Sequence, residues 1–149
     1  MNGRTQLVGL LFLFLLVPAC SKAPEVPLAD RAEVRRIADD IGSAAQRRDV
    51  SAVIQHLASD AQLSLAGTQH SVKTYEQHLQ KIFPLISDYS YTKSKESMQL
   101  AANGSDVIFK FHLSEEYTFN NKRHSESHPE TYFLRKEAGR FKIYKVLAE

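Results

Sequence analysis

The chain has 149 residues, with 19 Lys and Arg against 17 Asp and Glu, a formal charge of +2, one cysteine and no tryptophan. A charge this close to balance gives no electrostatic reason to expect nucleic acid or an extended acidic partner. Cys20 is the single cysteine, so an internal disulfide is excluded. The length suits one modest domain.

Arg4 and the amino terminus form a short positive region, Leu7 to Val17 an almost purely apolar one, and Pro18-Ala19-Cys20 closes it. An apolar run this short falls below a bilayer span and suits a secretory leader. The block Leu16-Val17-Pro18-Ala19-Cys20 resembles the lipobox of bacterial lipoproteins, with Pro18 the less usual residue. That resemblance implies cleavage before Cys20 and acylation of Cys20. It divides the chain into a signal peptide (1–19), an acylated tether with Pro24 and Pro27 (20–29) and a folded domain (30–149). It also implies a lipid-anchored place in the bacterial cell envelope, with the membrane as partner through Cys20. On the family rule, Ser21 sends the protein to an outer membrane, facing the periplasm, where two membranes exist.

Asp30, with Glu33 three residues on, predicts a capping box. The helix it opens turns Val34, Ile37, Ala38, Ile41 and Ala45 inward and leaves Arg35–Asp39 and Arg36–Asp40 as exposed pairs four apart. Gly42 weakens that helix unless another element approaches closely enough to need its missing side chain. Asp49 predicts a second helix presenting Val50, Val53, Ile54 and Leu57 and ending at Ser59-Asp60, and Leu63 and Leu65 predict a short strand before Gly67. Ser71 caps a third helix with Tyr75, Leu79, Ile82, Phe83 and Ile86 on one stripe, which Pro84 ends near Phe83.

Strand character returns from Tyr89 to Ala102, and Asn103-Gly104 predicts a tight hairpin. From Asp106 to Phe119, Val107, Phe109, Phe111 and Leu113 alternate with Ile108, Lys110 and His112, the period of a strand with one face on a core. The runs 131–135 and 141–147 pair across the turn at 137–140.

This order of elements, with Arg47-Arg48-Asp49-Val50, Asp60-Ala61-Gln62-Leu63 and the terminal Gly139-Arg140-Phe141-Lys142-Ile143, resembles the nuclear transport factor 2-like superfamily over roughly 30–149. The superfamily includes the SnoaL-like and ketosteroid-isomerase-like domains. The resemblance implies an α+β, cone-shaped fold, with N-terminal helices packed on a curved, mostly antiparallel sheet. It also implies a pocket between them, and a homodimer formed through the outer face of the sheet. The fold alone does not choose a function.

A pocket of this kind would be lined by Tyr75, Leu79, Phe83, Phe109, Phe111 and Tyr132. His124, Glu126, His128 and Glu130 share one parity and on a strand would project to one side, where they could meet zinc. Pro129 and the local polarity favour a loop over 120–129 instead, with no metal and no cofactor expected. Glu115 and Glu116 read as a wet strand end, His112 as facing away from the core, and Asp60 as a helix terminator. No aspartate takes the base position of a steroid isomerase, so catalytic residues stay unassigned. The sequence therefore favours a non-catalytic envelope lipoprotein that binds a small apolar molecule or lipid. The alternatives are an interaction protein, which would meet an envelope partner through the outer sheet and the 120–129 loop, and a SnoaL-like isomerase, dehydratase or hydrolase.

Overall fold

The computed structural model describes residues 24–149, so Cys20 and the expected leader lie outside the described residues. Three helices, α1 (Leu28–Arg47), α2 (Val50–Ile54) and α3 (Val72–Ile82), face a sheet of β1 (Leu57–Leu65), β2 (Thr68–Ser71), β3 (Ile86–Leu100), β4 (Val107–Phe119), β5 (Lys122–Glu137) and β6 (Arg140–Ala148). The strand order is β2-β1-β6-β5-β4-β3, and the β1–β6 contact is parallel while the others are antiparallel. This is the α+β arrangement expected from the sequence, helices against a curved, largely antiparallel sheet.

The start of α1 differs from the expected capping box. The helix begins two residues before Asp30, behind Pro27, and no side chain caps it. Both carboxylates are drawn to tertiary partners instead, Asp30 to Lys136 at 2.8 Å and Glu33 to the Phe141 N–H at 3.1 Å. Of the two expected exposed pairs, Arg36–Asp40 forms at 2.9 Å. Arg35 reaches Glu96 at 2.9 Å and Asp39 reaches Lys93 at 2.6 Å, so this face of α1 is tied to β3. Val34, Ile37 and Ala38 are buried against the sheet, and Val26 joins them in the core.

Gly42 has the reason its position demanded. A Cβ there would collide with the ring of Tyr91, whose hydroxyl donates to the Asp39 carbonyl at 3.2 Å. Gly42→Ala is therefore expected to destabilise the fold despite alanine's better helix propensity. In a Tyr91→Leu background the same change should become neutral or stabilising by up to about 1 kcal/mol. Denaturant midpoints of the four variants check this; the same sign in both backgrounds would remove the contact from the explanation.

Asp49 caps α2 by accepting from the Ala52 N–H at 3.0 Å. The helix ends at Ile54, not at Ser59-Asp60. Pairing with β6 starts as the Ile143 N–H donates to the His56 carbonyl at 2.9 Å, which turns Leu57 into the first residue of β1. Asp60 lies in that strand and pairs with Arg135 at 2.6 Å. Ser71 and Thr74 form the capping box of α3, and Pro84 sits in the 3-10 turn Phe83–Leu85 that ends it.

Two bulges bend β3 around the helices. Between Ser87 and Ser90, and again between Ser94 and Ser97, β3 uses one residue more than β4, with Asp88 at φ 53° and Lys95 at φ 53°. The Asn103-Gly104 pair lies in a longer loop between β3 and β4, with Asn103 Oδ1 accepting from the N–H groups of Ser105 and Asp106. The tight two-residue turn is Asn120-Asn121, both at positive φ, which joins β4 to β5. The expected loop over 120–129 is thus a strand from Lys122 onward, paired residue for residue with β4. Pro129 is tolerated because β6 ends opposite Glu130, leaving that side of β5 unpaired but for the Glu149 N–H on the Pro129 carbonyl at 3.4 Å.

Candidate active site

Parity on β4 and β5 decides what the concave face carries. Phe109, Phe111, Leu113, Glu115 and Tyr117 on β4 stand opposite Tyr132, Glu130, His128, Glu126 and His124 on β5. Tyr91 and Lys93 of β3 continue two of these rows, beside Glu115 and Leu113. Between this face and the helices lies a cavity of about 630 Å³, whose helical wall includes Ile41, Gly42, Leu79 and Phe83. It is large enough for a small organic molecule.

Two acid–base pairs are fixed in its wall. His128 Nε2 lies 3.3 Å from Glu130 Oε1, and Glu130 is 9% exposed. The hydrogen bond to Glu130 holds the His128 imidazolium above its ordinary range, against the opposing effect of burial. Beside it, the Tyr89 hydroxyl donates to Glu115. Burial pushes the Glu115 carboxyl up, and the charges of Glu130 and Glu126 add to that, while the Tyr89 hydrogen bond opposes it. Glu115 and His128 are diagonal neighbours across β4 and β5, within about 7–8 Å of each other along the backbone. Burial also raises the Tyr75, Tyr89 and Tyr132 hydroxyls, so they stay neutral hydrogen-bond donors at physiological pH. At the end of the hairpin, Tyr117 donates to Glu126 at 2.6 Å and is pushed up to about 12, burial again being the main cause.

The structure places Tyr75, Leu79, Phe83, Phe111 and Tyr132 in the cavity wall. Phe109 lies beneath it, fully buried, with its ring centroid 5.0 Å from that of Phe111. Glu126, His128 and Glu130 line the cavity, and His124 stacks on Tyr117 with centroids 5.2 Å apart. Among the described residues no three His, Cys, Asp or Glu side chains converge to hold a metal ion. Glu115 is the residue that sequence reasoning missed, while Tyr89 is one of five tyrosines, with Tyr75, Tyr91, Tyr117 and Tyr132, that the sequence offered as hydrogen-bond donors. The signal for Glu115 was its parity with Phe111 and Leu113, overridden by reading the region as a wet strand end.

The His128–Glu130 contact predicts an NMR titration midpoint for His128 above 6.5 that falls in Glu130→Gln. A raised midpoint means that the stability supplied by this pair is complete below about pH 6.5 and fades as pH rises through the native value. An unchanged midpoint in Glu130→Gln would show that the two side chains do not interact in solution.

No protein-family model matches the chain, and no curated protein is similar to it in sequence. Solved structures do share its fold. A candidate aromatic ring hydroxylase from Novosphingobium aromaticivorans superposes with a TM-score of 0.77 at 13% identity, over 84% of this chain and 91% of that one. The hexachlorocyclohexane dehydrochlorinase LinA type 2 gives 0.74 at 12% identity, over 82% and 85%. A candidate scytalone dehydratase from Novosphingobium aromaticivorans gives 0.72 at 11%, over 82% and 85%. At such identities the likeness is one of fold, and the fold is related to the SnoaL-like, nuclear transport factor 2-like superfamily.

Two expectations are corrected here. The non-catalytic domain binding an apolar molecule or lipid gives way, because several of the similar structures carry enzyme names and the cavity wall holds partly buried acid–base pairs rather than apolar side chains alone. The lipid-anchored envelope location is withdrawn as well. It rested on residues outside the described ones, and the hydroxylase, dehydrochlorinase and dehydratase that share the fold carry enzyme names. No helix among the described residues is long and apolar enough to cross a membrane.

Proposed function

We propose that this protein is an acid–base lyase of the dehydratase type, acting on a small, largely apolar molecule in the cavity beneath α1 and α3. The observation that carries the reading is the pairing of Glu115, a carboxyl made more basic by burial, with His128, an imidazolium sustained by Glu130, on adjacent strands of one cavity wall. Groups tuned in this way sit closer to neutrality than ordinary side chains and suit proton transfer in both directions.

In the reaction, ionised Glu115 takes a proton from carbon next to a carbonyl, and the carbon–oxygen bond of the neighbouring hydroxyl breaks. His128 gives that hydroxyl its Nδ1 proton, Nε2 being held by Glu130, and the hydroxyl leaves as water while a carbon–carbon double bond forms. Glu115 ends protonated and His128 neutral, and solvent exchange restores both. Tyr75 offers a neutral hydroxyl to the carbonyl oxygen as it gains charge, while Tyr132 is held by Glu130. Tyr89 keeps the Glu115 carboxylate oriented.

The test is solvent exchange. Cyclic β-hydroxy ketones incubated with the protein in D₂O should lose the α-proton and yield the enone, as followed by NMR. The rate should be bell-shaped in pH, with Glu115 setting the acid limb and His128 the alkaline one. Enone formation at the same rate in His128→Asn as in the unaltered protein would refute the assignment. Association of two copies through the outer face of the sheet is a separate proposal, read by native mass spectrometry.

A further inference from the structure

We infer that a second, polar cleft, where α1, the α2–β1 junction and β6 meet, binds a tetrahedral oxyanion, phosphate or the phosphate group of an ester, through His56, Arg140 and Lys142. It opens on another face of α1 from the cavity: Arg36, Ile37 and Asp40 border the cleft, whereas Ala38, Ile41 and Gly42 border the cavity. The inference is independent of the lyase reading.

The first observation is an orphaned ring nitrogen. His56 follows α2, and its carbonyl accepts the Ile143 N–H at 2.9 Å, so backbone pairing with β6 fixes where its ring stands in the cleft wall. The side chain is 14% exposed, and Nε2 is buried with no hydrogen-bond partner, the one buried side-chain nitrogen or oxygen so placed among the described residues. Asp40 Oδ2 lies 3.9 Å away, beyond hydrogen-bond reach, and already accepts from Arg36 at 2.9 Å. A buried polar atom left unpaired is costly, and an acceptor placed in the cleft removes that cost.

The second observation is the balance of donors and acceptors around that nitrogen. Three cations, Arg36, Arg140 and Lys142, border the cleft with two carboxylates, Glu33 and Asp40. Both carboxylates are engaged, Glu33 by the Phe141 N–H at 3.1 Å and Asp40 by Arg36. The cations are not used up. The Arg140 side chain makes no ion pair or hydrogen bond among the described residues, and Lys142 spends one donor on the Gln55 carbonyl and keeps two. Donors therefore outnumber acceptors, and an oxyanion supplies several acceptor oxygens in the geometry that a guanidinium fork matches. A cation entering here would meet three positive side chains whose carboxylate partners are already taken.

The third observation is the state of the histidine. Burial lowers the His56 imidazole below its ordinary value; Asp40 opposes this, and the charges of Lys142 and Arg36 lower it further. At neutral pH the ring is uncharged and donates from Nε2 in one of its two tautomers, while lysine and arginine supply the positive charge. The cleft encloses about 230 Å³, room for an oxyanion and part of its hydration shell. An anion held there links Arg36 on α1 to Arg140 and Lys142 on β6.

The experiment follows the His56 ring by NMR in the full chain, with sulfate, inorganic phosphate and phenyl phosphate each titrated against chloride at matched ionic strength. Sulfate keeps its charge across the pH range and should raise the His56 midpoint by about 1 unit, because an anion on Nε2 favours the imidazolium, while His128 stays where it is. By linkage, sulfate should bind more tightly as pH falls through that midpoint. Arg140 is exposed, so Arg140→Gln leaves the fold intact, and it should weaken sulfate about tenfold. Phenyl phosphate binding more tightly than inorganic phosphate would assign the site to an ester, and equal or weaker binding to the free ion. A His56 midpoint that millimolar sulfate moves no further than chloride does, or sulfate binding that Arg140→Gln leaves unchanged, would overturn the inference and make the cleft a solvated groove.

Discussion

Glu115→Gln is expected to slow turnover by about 10²- to 10⁴-fold while raising the thermal midpoint at neutral pH. The kinetic loss follows from removing the proposed base and keeping its shape, since glutamine still accepts the Tyr89 hydroxyl. The stability gain follows from the raised carboxyl. Burial, the largest cause, makes the folded protein bind this proton more tightly than the unfolded chain does. Stability linked to Glu115 is therefore greatest below its ordinary value of 4.5 and falls as pH rises through the raised native value. Above that range the wild type carries a constant deficit that Glu115→Gln lacks. Melting curves at pH 4 and pH 7.5 should show no gain at the first and a gain at the second. A variant less stable than the wild type at both would mean that Tyr89 and His128 stabilise the charged carboxylate more than burial penalises it.

Phe109→Ala should produce the largest stability loss of any single truncation on β4, about 3–5 kcal/mol. Phe109 is fully buried between Val107 and Phe111 and faces Tyr132, with no part of it in the cavity wall, so its removal leaves an enclosed void. Phe111→Ala should cost less. Its ring borders an existing cavity, and the space it vacates joins that cavity rather than forming a new one. Equilibrium denaturation of both variants measures the difference. A larger loss at Phe111 would show that the cavity closes over it in solution.

Much of the scaffold was legible because it is written in local terms. The 3.6-residue stripe of α1, the Asp49 and Ser71 caps, the Pro84 stop and the alternation of Val107, Phe109, Phe111 and Leu113 each depend on residues a few positions apart. The site was less legible. His124, Glu126, His128 and Glu130 share a parity visible in the sequence, but polarity and Pro129 made the segment look like a loop. Burial on a strand normally demands apolar residues, and here the buried face is polar because it lines a cavity. The Asn120-Asn121 turn would have fixed the register from local chemistry alone.

The sequence by itself determined the α+β order, the core face of β4 and the Asp49 and Ser71 caps, since periodicity and turn chemistry act over short range. Tertiary structure decided the environment of each carboxylate. Asp60, Glu115 and Glu130 are all ordinary carboxylates as residues, yet one pairs with Arg135 at the surface, one is half-buried against Tyr89, and one fixes His128. Those fates depend on strands brought together across the sheet, and it is that desolvated, cross-strand environment that turns ordinary carboxylates into a candidate acid–base pair.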